Sequence, residues 1–186
     1  TAGAQTLSPV LYKTSYEALA SFEPISRLCD VGFVVIARKD LPVSSMQELI
    51  AMAKQGRPLS ASSGSSMISL ITEQFKKVVE VPGIVNAQYK GTGAQMQAVV
   101  AGEVDFSFDS FTSVEMIRAG KVKALAVLLP QRAPALAQVP TLRERMDSLK
   151  ANLVFPTHLG GVSLAADTMP HVLRRRRLVQ TAVFCA

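Results

Sequence analysis

The sequence predicts an α/β fold in which helices pack against a mostly parallel β-sheet. Two observations lead to this prediction. First, short apolar runs rich in Val and Ile alternate with amphipathic runs at helical spacing from residue 31 onwards. Second, 48% of the 186 residues are hydrophobic and only 18% are charged, so the chain can bury an aliphatic core. The length suits one ordinary domain or two small lobes.

The first two predicted elements are a buried strand and a helix with both ends marked. "VGFVVIARKD" (residues 31–40) has an apolar run after Gly32, which is typical of a strand covered on both faces, as in a parallel sheet. In the following segment, Ser45 and Glu48 form a capping box, and Gly56 suits the position just after a helix. These signals predict a helix that begins after Ser45 and ends before Gly56.

Three strand–helix units follow, and then a last strand and helix. The predicted strands lie within residues 58–63, 83–91, 103–110 and 121–130. The predicted helices begin at Ser66, at Thr92, near Thr112 and after the capping box of Thr141 with Glu144. After Pro156 the periodicity becomes weak, so no element is predicted there.

A cluster of small polar residues lies where the second strand ends and its helix begins. These residues are Ser62, Ser63, Gly64, Ser65 and Ser66. The first turn of a helix has main-chain N–H groups without partners and a partial positive charge, and hydroxyl groups also donate hydrogen bonds to a carboxylate. The same serines are common helix caps. The spacing therefore leaves two interpretations open, a helix cap and a cradle for a small anion.

Two further turns have the same arrangement. Tyr89, Gly91 and Thr92 lie between a predicted strand and a helix, and Asp109 ends the strand that follows. Ligands of open α/β sheets collect beyond the carboxyl ends of strands, so we expect the ends at Ser63, Tyr89 and Asp109 to face one cleft. An alternative for Asp109 is the N-cap of the helix beginning near Thr112.

Catalytic interpretations are disfavoured. The nearest match to a nucleophile elbow is Gly161–Ala165 around Ser163, followed by Asp167 and His171, but no clear strand precedes it and no clear helix follows. "YKGTGAQ" has Lys, Gly and Thr in the wrong order for a phosphate-binding loop, and no G-x-G-x-x-G motif is present. We therefore predict no catalytic residues and no nucleotide.

Metal and nucleic-acid partners are not predicted either. Cys29 and Cys185 stand far apart and outside any Cys/His cluster, so no metal site or other cofactor is expected. The run Arg174–Arg177 supplies four of the charges behind the net charge of +6, but no aromatic residues are interleaved with it. The run is interpreted as a solvated tail.

Several motifs, in a fixed order over residues 7–144, resemble one protein family. They include "SPVLYK" with "FEPISRL", "LPVSSMQELIAMAK", "SASSGSSMISLITEQFKK", "AQYKGTGAQMQAVVAGEVDFSFDS" and "IRAGKVKALAVLLPQRAPALAQVPTLRE". Together they resemble the substrate-binding proteins of tripartite tricarboxylate transporters, the Bug-type or TctC-like family.

The resemblance implies a fold, a site and a function. The fold would be the type II periplasmic-binding-protein fold, or Venus flytrap, with two lobes joined by crossing strands. Residues 1–37 and 125–186 would form an incomplete first lobe, and residues 38–124 the second. The protein would be a periplasmic monomer that is not an enzyme and binds no nucleic acid. It would hold a small organic acid between the lobes and deliver it to the membrane permease subunits.

In the same resemblance, Ser62–Ser66 would bind the carboxylate, and Tyr89, Gly91, Thr92 and Asp109 would line the cleft. The family's first strand, its Pro-Gly-Gly loop and its signal peptide would all precede Thr1, so we expect a chain truncated at its N-terminus. The family's second Gly is either replaced by Ser65 or missing, and Gln88 stands where the family has Pro. Alternatives are a ligand-sensing effector domain of the same fold, a non-functional fragment and, last, a serine hydrolase.

Overall fold

A computed structural model of the chain describes residues 8–17, 20–22 and 32–145. The chain divides into two units, one of Thr1–Val31 with His158–Ala186 and one of Gly32–Thr157. The lobe boundaries expected after residues 37 and 124 remain a prediction. The expectations for Cys29, Cys185, the Ser163 segment and the Arg174–Arg177 run concern residues outside the described ranges.

The described part of the first unit is short. It contains a helical turn at residues 8–11, whose Val10 and Leu11 side chains are exposed. The rings of Tyr16 and Phe22 pack edge to face with centroids 5.4 Å apart.

The second unit is built around a five-stranded sheet with strand order β3-β2-β4-β1-β5. The strands are β1 (Val34–Arg38), β2 (Ser60–Ser63), β3 (Val85–Gln88), β4 (Phe106–Asp109) and β5 (Val122–Val127). Each lies within a segment that the sequence predicted as a strand.

Strand β1 is antiparallel to both of its neighbours. β2 pairs in parallel with β3 and β4, whereas β1 pairs in antiparallel with β4 and β5. The prediction that the 31–40 strand has parallel neighbours is therefore wrong, and the sheet is mixed. The buried character of β1 has another cause. Val35 packs in the core on one face of the sheet, which we call the first core. Val34 and Ile36 pack in the core on the other face, the second core.

Five α-helices and a 3₁₀ turn surround the sheet in the described part of the second unit. They are α1 (Met46–Lys54), α2 (Ser66–Val78), α3 (Thr92–Ala101), α4 (Val114–Arg118), the 3₁₀ turn Pro134–Leu136 and α5 (Leu142–Arg145). Helices α1 and α2 bury their apolar stripes in the first core, and α3 buries its stripe in the second. Among the described residues, none of these helices is both long and apolar enough to cross a bilayer.

Three phenylalanines occupy the centre of the first core. Phe75 of α2 and Phe106 and Phe108 of β4 meet pairwise edge to face, with centroids 5.6, 6.0 and 6.1 Å apart. The residues that alternate with the phenylalanines of β4 are polar. Ser107 and Asp109 are nevertheless fully buried, because helices cover both faces of the sheet, and Ser107 Oγ donates to the main-chain oxygen of Ser62 at 2.7 Å.

The predicted capping box of Thr141 with Glu144 forms in full, and that of Ser45 with Glu48 forms in part. Ser45 Oγ accepts from Glu48 N at 3.3 Å, although the Glu48 carboxylate accepts from Ser44 N instead of the cap residue. Thr141 Oγ1 accepts from Glu144 N at 3.1 Å, and Glu144 Oε1 accepts from Thr141 N at 3.5 Å. Arg132 donates to the same Glu144 carboxylate, and this hydrogen bond is the main cause of the lowered pKa of Glu144.

Helix α2 ends in a Schellman motif. Glu80 N donates to Lys77 O at 3.3 Å and Val81 N to Lys76 O at 3.0 Å. The motif requires a left-handed backbone at its turning residue, and Glu80 has φ of +59°. Glycine usually occupies this position because a Cβ atom makes the left-handed conformation unfavourable.

We expect Glu80→Gly to stabilise the chain by about 0.5–1 kcal/mol, since glycine removes the strain that Glu80 bears in the left-handed region. The free energy of unfolding in urea measures the gain. Glu80→Ala is the matched control, because it removes the same charge but keeps Cβ. An equal gain from the alanine variant would contradict the explanation.

Candidate functional site

The predicted site residues lie at one edge of the sheet, where β2, β3 and β4 end. Because these strands are parallel, their carboxyl ends lie at the same edge. Ser62 lies opposite Ser107, and Tyr89 N extends the β2–β3 ladder with a 2.8 Å hydrogen bond to Ser63 O. We call this region the strand-end edge. It is formed by Ser62–Ser66, Tyr89–Thr92 and Asp109–Ser113.

The β2–α2 turn both caps a helix and leaves free donors. Ser65 is the N-cap of α2, and its Oγ accepts from Ile68 N at 3.3 Å. Ser66 opens the helix and is exposed. Within the described ranges, the main-chain N–H groups of Ser66 and Met67 and the Ser66 hydroxyl make no hydrogen bond. Capping therefore accounts for Ser65, and these groups of Ser66 and Met67 remain available to a ligand.

The glycine in this turn is explained by a neighbouring turn. A Cβ atom on Gly64 would lie 2.5 Å from Gly91 O and 2.7 Å from Gln95 Oε1. Gly64 N also donates to Gln95 Oε1 at 2.6 Å. The missing side chain thus allows the two turns to touch.

The β3–α3 turn provides the second helix start. Gly91 has φ of +90°, which favours glycine, and its oxygen accepts from Gln95 N at 3.2 Å. Thr92 is the first residue of α3 and is half-buried. In the part of the chain that the structure describes, the N–H groups of Thr92 and Gly93 and the Thr92 hydroxyl have no hydrogen-bond partner. Two helix N-termini with unpaired donors therefore lie side by side.

The side chains of Ser62 and Ser63 make hydrogen bonds inside the fold. Both are fully buried. Ser62 Oγ donates to Gln95 O at 3.3 Å, and Ser63 Oγ donates to Asn86 Oδ1 at 2.7 Å. The Asn86 amide in turn donates to Glu73 Oε1 at 3.0 Å, and this bond is the main reason that the pKa of Glu73 is lowered. These two hydroxyls link strands to helices and are not presented to a ligand.

Asp109 is held by its own turn. Thr112 Oγ1 lies 2.9 Å from each carboxylate oxygen, and Ser113 N donates to Oδ2 at 2.8 Å. Asp109 is not the N-cap of α4, which begins at Val114 with Ser113 as its N-cap, so its carboxylate holds the turn that precedes the helix. Phe111 in this turn has a left-handed φ of +56°. Among the described residues, Ser113 Oγ is the one buried side-chain polar atom without a hydrogen-bond partner.

Tyr89 contributes its main chain to the strand-end edge. Its Oη donates to Glu103 Oε2 at 3.4 Å, and Glu103 follows the C-terminal end of α3. The ring therefore extends along α3 and away from the two helix starts. Burial, and then the Glu103 carboxylate, raises the pKa of Tyr89.

Gln95 is the residue of this site that the sequence analysis missed. It is fully buried on α3, beside Met96, Ala98 and Val99 on the helix stripe that packs inward. A polar residue on an apolar stripe would have been the signal. The segment "TGAQMQAVV" contains two glutamines, however, and the phase of the helix decides which one faces the core. Within the described ranges, no group of three His, Cys, Asp or Glu side chains is arranged to hold a metal ion.

Comparison with known proteins agrees with this architecture. The sequence profile of the tripartite tricarboxylate transporter family receptor, TctC, matches residues 1–182. Protein BugT of Bordetella pertussis is 30% identical over 135 residues, which cover 69% of this chain and 40% of that protein. A UPF0065 protein of Agrobacterium vitis is 25% identical over 145 residues, which cover 76% of this chain and 42% of that protein. The chain thus spans less than half the length of these curated relatives.

Solved structures show the same fold. The periplasmic binding protein BugD superposes with a TM-score of 0.69 at 33% identity, covering 78% of this chain and 50% of that one. MatC of Rhodopseudomonas palustris, solved with bound malate, superposes with a TM-score of 0.65 at 27% identity, covering 76% of this chain and 48% of that one. A second R. palustris protein, solved with adipate, superposes with a TM-score of 0.64 at 32% identity, covering 72% of this chain and 46% of that one.

The expectations drawn from the family resemblance are confirmed for the fold and the family. The fold is the mixed α/β fold of the periplasmic binding proteins, and it is incomplete relative to these longer proteins. The matched profile covers nearly the whole sequence. The chain belongs to the tripartite tricarboxylate transporter receptor family, which includes the TctC and Bug-type proteins.

Proposed function

We propose that the chain is part of a periplasmic solute-binding protein that captures a small organic acid and catalyses no reaction. The ligand would be passed to the membrane permease of a tripartite tricarboxylate-type transporter. The observation that carries this proposal is the pair of helix N-termini at the strand-end edge, where Gly64 lies against Gly91 and both α2 and α3 leave N–H groups and hydroxyls unpaired within the described ranges. Such a pair is suited to a carboxylate.

The unpaired hydroxyls are the groups that would contribute most to binding. A hydrogen bond to a charged group contributes about 1.5–3 kcal/mol, whereas an exposed helix N-terminus favours an anion by about 0.3–1 kcal/mol. The hydroxyls of Ser66 and Thr92 make no hydrogen bond within the described ranges and could each donate one to a carboxylate. We therefore assign direct contacts to these two residues and a supporting role to Ser62, Ser63, Gly64, Ser65, Tyr89, Gly91 and Asp109.

The placement of the serines supports binding over nucleophilic catalysis. A nucleophilic serine presents its hydroxyl to a base. Here the Ser62 and Ser63 hydroxyls donate to the main-chain oxygen of Gln95 and to the amide of Asn86, and the Ser65 hydroxyl accepts from a helix N–H. Relatives of this chain were solved with malate and with adipate, which makes dicarboxylates the first ligands to test.

We expect the 186-residue chain to bind malate or adipate in a calorimetric titration, and the uncharged 1,4-butanediol to give no signal. Ser66→Ala and Thr92→Val should each weaken binding about tenfold, since each removes one hydrogen bond to a charged group. Ser69→Ala is the matched control in the same helix, because its hydroxyl contacts Asn86 and Gln88 at the edge strand. Equal affinity of all three variants would contradict the proposed site.

Gly64→Ala should both destabilise the chain and weaken carboxylate binding. Its Cβ atom would lie 2.5 Å from Gly91 O, so the two turns must separate, at a cost of about 1–3 kcal/mol. Urea unfolding and calorimetry measure the two effects. Gly83→Ala is the control, because the Cβ atom that it adds would have nothing within 4 Å and the Gly83 backbone is not left-handed. Normal binding by Gly64→Ala would show that the contact between the turns is not required.

A further inference from the structure

We infer that Gln95 is a positioning residue for carboxylate binding, because its side-chain amide fixes the β2–α2 turn relative to β4 and to the start of α3. This inference rests on the proposed function and deepens it. Gln95 is fully buried, so it acts through the residues that it holds.

Gln95 joins three parts of the strand-end edge. Its Oε1 accepts from Gly64 N at 2.6 Å in the β2–α2 turn. Its Nε2 donates to Phe108 O at 2.9 Å near the end of β4. Its main-chain oxygen accepts from Ser62 Oγ at 3.3 Å at the end of β2. A single residue of α3 therefore holds both of its neighbouring strand ends.

The chemistry of this position favours an amide. Gly64 N is a donor and Phe108 O is an acceptor, so the side chain between them must accept on one side and donate on the other. This requirement also fixes which end of the amide is oxygen. A methionine of similar length would satisfy neither group. Gly64 N would lose its hydrogen bond, whereas Phe108 O would still accept from Ser107 Oγ at 3.3 Å.

The hydrogen bond to Gly64 also decides which donors are left for a ligand. Gly64 N–H is directed to Gln95, so among the described residues the free N–H groups of the β2–α2 turn are those of Ser65, Ser66 and Met67. The contact of Gly64 with Gly91 then places these donors beside those of Thr92 and Gly93. Loss of the Gln95 amide would release Gly64 and change the spacing between the two sets of donors.

Amide exchange of the wild-type chain tests the inference directly. We expect the Gly64 amide to exchange slowly in nuclear magnetic resonance spectra, both in the free chain and with malate or adipate added. The resonances of Ser66 and Thr92 should shift when the ligand is added. A rapidly exchanging Gly64 amide in the folded wild-type chain would overturn the inference, and this measurement needs no variant.

Gln95→Met separates positioning from general stability. We expect it to abolish the slow exchange of the Gly64 amide and to weaken malate or adipate binding at least tenfold. Val99→Ala is the matched control, because Val99 is equally buried on α3 but packs in the apolar core. It should lower the urea midpoint with less than a twofold change in affinity. Equal affinities of the two variants would overturn the inference.

The two proposals fail in different ways. If wild-type chain binds neither malate nor adipate while the Gly64 amide exchanges slowly, the proposed ligand class fails and the placement of Gly64 by Gln95 stands. If wild-type chain binds a dicarboxylate and Gln95→Met binds it equally well, the proposed function stands and the positioning role of Gln95 is wrong.

Discussion

The contact between Gly64 and Gly91 is the constraint on which the candidate site depends. It brings the starts of α2 and α3 together, and any side chain at residue 64 would separate them. Parallel pairing of β2 with β3 places both turns at the same edge of the sheet, and the Gln95 amide holds the β2–α2 turn from the interior. Each turn alone is an ordinary helix start. Because the two turns are in contact, their two small sets of unpaired hydrogen-bond donors lie side by side.

The same edge shows how a sheet covered on both faces accommodates polar residues. Ser62, Ser63, Ser107 and Asp109 lie in β2 and β4 and are fully buried. Each has a partner within the sheet, a helix or a turn, so none of these side chains is left unpaired. On the proposed function, the polar groups of the strands form the framework that positions the unpaired donors of Ser66 and Thr92.

Local signals in the sequence identified most of the elements, because they depend on residues three or four positions apart. The capping boxes at Ser45 and Thr141 are examples, as are the glycines that end α1 and α3. The direction of β1 could not be predicted in this way, since an apolar run records coverage by two layers and not the direction of neighbouring strands. Predicting the role of Gln95 would have required the phase of α3 and the pairing of β2 with β4, which are properties of the tertiary fold.

The strand-end edge also bears on how a receptor of this kind would select its ligand. Main-chain N–H groups and hydroxyls at helix starts recognise a carboxylate group whatever chain it is attached to. Among the solved relatives, one holds malate and another adipate, which differ in the separation of their two carboxylates. A shared cradle for one carboxylate cannot distinguish them, so discrimination must come from the groups that meet the rest of the ligand. On the proposed function, the edge described here supplies general affinity for organic acids, and specificity is determined elsewhere in the receptor.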